Sequence, residues 1–144
     1  MTLKASKQVS KKERYVEAVG RRKTAIARVR WYTAKPDHAN EGIQVNGKSF
    51  AEYFPLAKQR AVASAPETTL SLSKYYVTVQ VEGGGLHAQA EAVRLGTARA
   101  LVSVNAIWRT KLKALGYLTR DPRMVERKKF GSRKARRPQQ WRKR

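Results

Sequence analysis

The most regular alternation in the chain is "YYVTVQVEG" (75–83), in which Tyr75, Val77, Val79 and Val81 fall on one side and Tyr76, Thr78 and Gln80 on the other. Period-two patterning in β-branched and aromatic residues predicts a strand with one buried face. Nearer the start, "YVEAVG" and "AIARVRWY" predict two strands joined by the turn "RRKT", with Ala25, Ala27, Val29 and Trp31 sharing a face. "AKPDHANEG" carries the turn formers of a loop, and in "IQVNGKSF" the Asn46-Gly47 pair lies between extended residues, where it suits a type I′ turn. "AEYFPLAKQRAVASAP" predicts one or two short helices, interrupted by Pro55 and closed by Pro66. In "GGGLHAQAEAVRLGTARALVSVN" Leu86, Ala90, Val93, Thr97, Leu101 and Val104 recur every three or four residues and predict a long helix. Its small residues, Ala88, Ala92, Gly96, Ala98 and Ala100 among them, permit close approach of another backbone or a sheet. "AIWRTKLKALG" predicts a second helix with Trp108, Leu112 and Leu115 facing inward and Gly116 as its C-terminal stop. Beyond "YLTRDPR" periodicity vanishes, and no internal repeat is visible.

At 144 residues and 41% hydrophobic content, the chain has the size and composition of one domain with extensions. It has no cysteine, which removes disulfides, thiolate metal sites and cysteine nucleophiles together. "MTLKASKQVSKKER" has charges but no apolar stretch of signal-peptide type, so neither secretion nor membrane insertion is expected. The formal net charge of +22 makes a polyanion the expected partner. Nucleic acid ranks ahead of an anionic membrane, because the basic segments show no amphipathic apolar face.

The charge is concentrated at the C-terminal end. From Arg120 onward there are twelve Lys or Arg against two acids, Asp121 and Glu126, which is +10 of the +22. So few aliphatic residues cannot offset a backbone ordering cost of roughly 1–2 kcal/mol per residue, and the segment is expected to be disordered in isolation. A solvated, solubilising tail is the bland alternative. The density of charge, with Gly131, Pro138 and Trp141 interleaved, favours a nucleic-acid footprint.

Candidate chemistry is sparse. Gly83, Gly84 and Gly85 before a helix suggest backbone amides that grip a phosphate, but neither the Walker Lys-Ser/Thr nor the dinucleotide glycine pattern follows. The glycines serve equally as a tight strand-to-helix turn, or as a cradle for an RNA phosphate that needs no catalytic residue. Neither His38 nor His87 has a local carboxylate cluster that would complete a metal set. No nucleophile has a recognisable base, so the chain reads as a binder, not an enzyme, with no cofactor.

"GGGLHAQAEAVRLGTARAL" resembles the signature of the small-subunit ribosomal protein nine family, with Gly83-Gly84-Gly85, Ala88-Gln89, Ala92, Gly96 and Ala98-Arg99 in matching spacing. "AVGRRKTAIARV" and "LTRDPRMVERKKFGSRKARRPQ" are similar to the family's other two typical segments, in the same order, and the bacterial and organellar form fits best. The resemblance implies an α/β (α+β) domain, with a small mixed sheet, helices packed on it and a left-handed β-α-β crossover. It places the protein on the ribosome, in the cytoplasm or an organelle, within the head of the small subunit. The implied partners are small-subunit ribosomal RNA, P-site tRNA and neighbouring head proteins, with no membrane.

On this reading residues 1–13 are a flexible basic arm, 14–118 the RNA-binding domain and 119–144 an extended tail that RNA orders. The resemblance implies ribosomal RNA contacts for Arg21, Arg22 and Lys23 in the hairpin turn and for Arg127, Lys128, Lys129, Arg133, Lys134, Arg136 and Arg137 in the tail. It implies tRNA contact for Arg142, Lys143 and Arg144, although "PQQWRKR" departs from the family's usual ending of an aromatic residue and serine before the final Lys-Arg. The rival reading is a nonspecific, DNA-compacting protein, which +22 alone permits.

Overall fold

β1 (Tyr15–Arg22) and β2 (Ala25–Tyr32) form an antiparallel hairpin, in register from Tyr15 opposite Tyr32 to Arg22 opposite Ala25. The computed structural model describes residues 14–33, 42–72 and 74–140. The basic arm 1–13, the loop with His38, and Trp141, Arg142, Lys143 and Arg144 lie outside the described residues. β1 runs two residues past the predicted "YVEAVG", so Arg21 and Arg22 are strand residues and Lys23 and Thr24 alone make the turn.

The strand with the cleanest alternation, β5 (Tyr76–Glu82), pairs antiparallel with β2 and parallel with β3 (Gly42–Val45). A short β4 (Lys48–Ser49) closes the edge, giving a five-stranded mixed sheet in the order β1-β2-β5-β3-β4. Asn46 and Gly47, between β3 and β4, both have positive φ, +48° and +77°, as a type I′ turn requires. The Asn46 amide also ties that turn to β5, accepting from Val81 N–H at 2.8 Å and donating to the Val81 carbonyl at 3.0 Å.

Three short helices, α1 (Phe50–Tyr53), α2 (Ala57–Ala63) and α3 (Ala65–Thr69), connect β4 to β5. The sequence predicts that Pro66 closes the helical segment. Instead it stands in the first turn of α3, where its missing N–H has no intrahelical partner to lose.

The core lies between one face of the sheet and α4 (Leu86–Val104). Ala25, Ala27, Val29 and Trp31 of β2, and Val77, Val79 and Val81 of β5, all point into it, as the alternation predicts. Burying Phe54, Leu101 and Leu112 completely adds about 2 kcal/mol each. α4 is buried more widely than its predicted stripe, because β1 and β2 cover one side and α2 another. Ala88, Ala92, Leu95 and Ala98 are buried with Ala90, Val93, Thr97 and Leu101, whereas Leu86 and Val104, at the helix ends, are exposed. Two glycines set the helix-to-sheet distance. A Cβ on Gly20 would overlap the Ala92 carbonyl and lie 2.5 Å from Gly96 N, and a Cβ on Gly96 would lie 2.6 Å from Val29 Cγ2.

The final helix, α5 (Trp108–Ala114), buries Leu112, but Leu115 is half exposed and not inward as expected. The chain reverses there in a Schellman motif. Tyr117 N–H donates to the Leu112 carbonyl at 3.1 Å and Gly116 N–H to that of Lys113 at 3.0 Å, so Tyr117 takes the place against the core.

Candidate nucleic-acid interface

Along β1 the even-numbered side chains face α4 and the odd-numbered ones face away, which separates two adjacent arginines. Arg21 is exposed, as is Lys23 in the turn, where it adopts φ +49°. Arg22 points inward with a side chain only 13% exposed. Its Nε donates to Glu91 Oε2 of α4 at 2.5 Å, its Nη1 to the Arg123 carbonyl at 2.9 Å, and its Nη2 pairs with Asp121 Oδ2 at 3.0 Å. One guanidinium thus joins the end of β1, the first half of α4 and the root of the tail.

Asp121 is shared between two arginines. It accepts from the Arg123 backbone N–H at 3.0 Å and from Arg123 Nη2 at 2.8 Å. Those bonds, followed by the nearby charges of Arg123 and Arg22, hold its carboxyl well below the usual carboxylate range. Further on, Glu126 accepts from Arg136 Nη2 at 2.6 Å and Nε at 3.0 Å, which lowers its carboxyl and raises the guanidinium. A bridge between Ser132 and Pro138 and a bond from Arg133 N–H to the Arg137 carbonyl at 2.8 Å close a small loop.

Both acids of the tail are therefore paired within the protein, Asp121 with Arg123 and Arg22 and Glu126 with Arg136. Arg127, Lys128, Lys129, Arg133, Lys134 and Arg137 are exposed, and among the described residues none has an acidic partner. The described tail has no helix and no ladder strand, so these cations hang on backbone that follows no element of its own. Such a string of solvated cations is suited to phosphates spaced along a polyanion. The structure brings together Lys128, Lys129, Arg133 and Lys134 around one loop, leaves Arg21 and Lys23 at the hairpin end, and turns Arg22 inward.

A second candidate surface lies on the other face of the sheet. Arg28 and Arg30 project from the sheet face opposite α4, both within 3.3 Å of Glu17, and Arg30 sits 5.2 Å from the centre of the Tyr15 ring. Tyr15, Tyr32 and Tyr76 form a row across that face, with centroids 5.7 and 5.1 Å apart. The signal was present, since the alternation of "AIARVRWY" that buries Val29 and Trp31 must turn Arg28 and Arg30 the other way.

The glycine turn has a packing role. Gly83 and Gly84 have φ +69° and +66°, and a Cβ on Gly83 would lie 2.6 Å from the Thr24 carbonyl. Gln89 Nε2 donates to the Gly83 carbonyl at 3.0 Å and holds the turn against α4. His87 lies 3.7 Å from Glu91, and among the described residues no cluster could hold a metal ion. Nor is any described helix long and apolar enough to cross a membrane.

A family profile described as "Ribosomal protein S9/S16" matches residues 20–144. Similar proteins include "Small ribosomal subunit protein uS9" of Cytophaga hutchinsonii, 48% identical over 132 residues, which are 90% of this chain and 98% of the relative. The protein of the same name from Amoebophilus asiaticus is 46% identical over 130 residues, 90% of this chain and 98% of its own length. That of Lawsonia intracellularis is 46% identical over 128 residues, covering 88% and 95% respectively.

Proposed function

The chain belongs to the Ribosomal protein S9/S16 family, and on that premise we propose that it is a constituent of the small ribosomal subunit that grips ribosomal RNA with its tail and hairpin end. It is a structural, non-enzymatic protein. Residues 14–118 act as the folded body and 119–144 as the RNA-ordered tail. The observation that carries the reading is the charge arrangement: the tail's two acids are paired within the protein, while seven of its described cations, Arg120 included, are exposed and have no acidic partner among the described residues. In this reading Arg127, Lys128, Lys129, Arg133, Lys134 and Arg137 meet phosphates, joined by Arg21 and Lys23 from the hairpin. Arg136 orients the loop through Glu126, and Arg22 holds the tail's root instead of contacting RNA. Arg142, Lys143 and Arg144 extend the same chemistry to tRNA in the P site.

Phosphate contacts position a protein without reading sequence, so the work of these residues is anchoring. Each neutralised phosphate releases counterions, and affinity falls with a slope of roughly 0.7–0.9 in log–log salt plots per contact. The test compares the full chain with one truncated before Arg127, binding protein-free small-subunit RNA across a salt series. Truncation should flatten the slope by several contacts. An unchanged slope means that the tail does not touch phosphate, and equal binding to duplex DNA would favour the nonspecific rival.

A further inference from the structure

Phe130 is fully exposed, at 105% relative accessibility, midway along the most basic part of the chain. A single exposed apolar side chain does not by itself call for a partner, and what points to one here is where this ring sits. Its setting narrows the choice. Ser132 N–H donates to the Lys129 carbonyl at 3.3 Å, so Phe130 and Gly131 form the tip of a turn. The Glu126–Arg136 pair, with bonds of 2.6 and 3.0 Å, closes the loop that carries this turn, and the Ser132–Pro138 bridge closes a smaller loop directly after it. Lys128, Lys129, Arg133 and Lys134 surround the ring in sequence, all exposed and without an acidic partner among the described residues.

We infer that Phe130 is a stacking platform for an unpaired RNA base, with these four cations holding the flanking phosphates. An aromatic face set among solvated cations matches single-stranded nucleic acid in both its parts, because bases supply π-faces and the backbone supplies charge. A paired A-form helix offers no base face to a side chain, so the ligand is a loop, bulge or splayed strand. An apolar pocket on a protein would instead have to accommodate four ammonium or guanidinium groups beside the ring, at the cost of desolvating them. The closed loop also restricts the turn before binding, which lowers the ordering cost that an unstructured tail would meet.

The inference rests on the reading of the tail as an RNA ligand, and its test separates the two. The full-length chain and its Phe130→Ala, Phe130→Leu and Phe130→Trp variants are titrated with protein-free small-subunit RNA at several salt concentrations, beside a Lys128→Ala/Lys129→Ala double variant. Stacking is largely independent of salt. Phe130→Ala and Phe130→Leu should therefore each weaken binding on the order of tenfold with the salt slope unchanged, while Phe130→Trp stays near the original affinity. The double lysine variant should lower the slope by about 1.5. Wild-type affinity for Phe130→Ala, or for Phe130→Leu, overturns the stacking role. If the lysine variant leaves the slope unchanged as well, the tail reading falls with it. In assembled subunits a photoreactive phenylalanine at position 130 should crosslink to RNA, and exclusive crosslinking to a neighbouring protein would overturn the assignment.

Discussion

Arg21 and Arg22 are neighbours in the chain, yet replacing each with alanine should have different consequences. Arg22→Ala removes the bond to Glu91 at 2.5 Å, the bond to the Arg123 carbonyl at 2.9 Å and a partner of Asp121. Arg22 and Glu91 are 13% and 22% exposed, so water replaces these contacts poorly and Glu91 is left partly buried without its arginine. A hydrogen bond to a charged group is worth about 1.5–3 kcal/mol, and loss of the packed stem adds to it. We expect Arg22→Ala to cost about 2–3 kcal/mol, and Arg22→Lys to recover less than half, because an ammonium cannot reproduce the fork. Arg21 is exposed and pairs with no acid among the described residues, so Arg21→Ala should stay within about 0.5 kcal/mol. Urea denaturation at fixed salt measures both, and amide exchange reports whether residues 121–125 loosen. In RNA titrations Arg21→Ala should reduce the salt slope by just under one, the signature of a lost phosphate. If Arg22→Ala is as mild as Arg21→Ala, or if Arg21→Ala is the costlier for stability, the division of labour between them is wrong.

Three further outcomes are expected. Glu67 is 1% exposed, neither of its carboxylate oxygens has a hydrogen-bond partner among the described residues, and burial pushes its carboxyl from 4.5 up to about 7. The folded state thus holds this proton more tightly, so stability should be fullest below pH 4.5 and be lost as pH rises through 7, by up to about 3 kcal/mol. Glu67→Gln should flatten that slope and stabilise the protein at pH 8, and denaturation curves that leave the slope in place would contradict this. Gly20→Ala should cost at least about 3 kcal/mol in urea denaturation, because the added Cβ meets the backbone of Ala92 and Gly96, which cannot move aside singly. Deleting Arg142, Lys143 and Arg144 should leave incorporation into subunits intact while P-site tRNA dissociates several-fold faster, most visibly at low salt. Unaltered tRNA release at normal stoichiometry would remove the tip from the tRNA site.

Patterns that repeat along the chain were legible and contacts across it were not. β2, β5 and α4 follow from alternation or three-to-four spacing, since each has one face against a common core. Pro66 misled because a proline ends one helix and begins another by the same loss of an N–H, and sequence alone does not say which neighbour it joins. Leu115 misled because a Schellman reversal breaks the periodicity one residue early. Arg22 reads as one more basic turn residue, yet its partners lie 69 and 101 residues further on, beyond any local pattern. The same holds for Glu67, an acid in a short helix whose burial is decided by tertiary packing. In the tail, charge density was visible throughout, whereas the pairing of Glu126 with Arg136 across ten residues of aperiodic chain was not.

The most direct test of the account is crosslinking in intact small subunits, with photoreactive groups placed singly at Lys128, Lys129 and Lys134 of the tail and at Arg109 of α5 as a control on the body. The account predicts that all three tail positions crosslink to ribosomal RNA in the subunit head, within a short span of one another. It also predicts that these crosslinks disappear for a chain truncated before Arg127 while that chain still enters subunits. Tail positions that remain uncrosslinked in fully assembled subunits, while the body crosslinks to RNA, would contradict it.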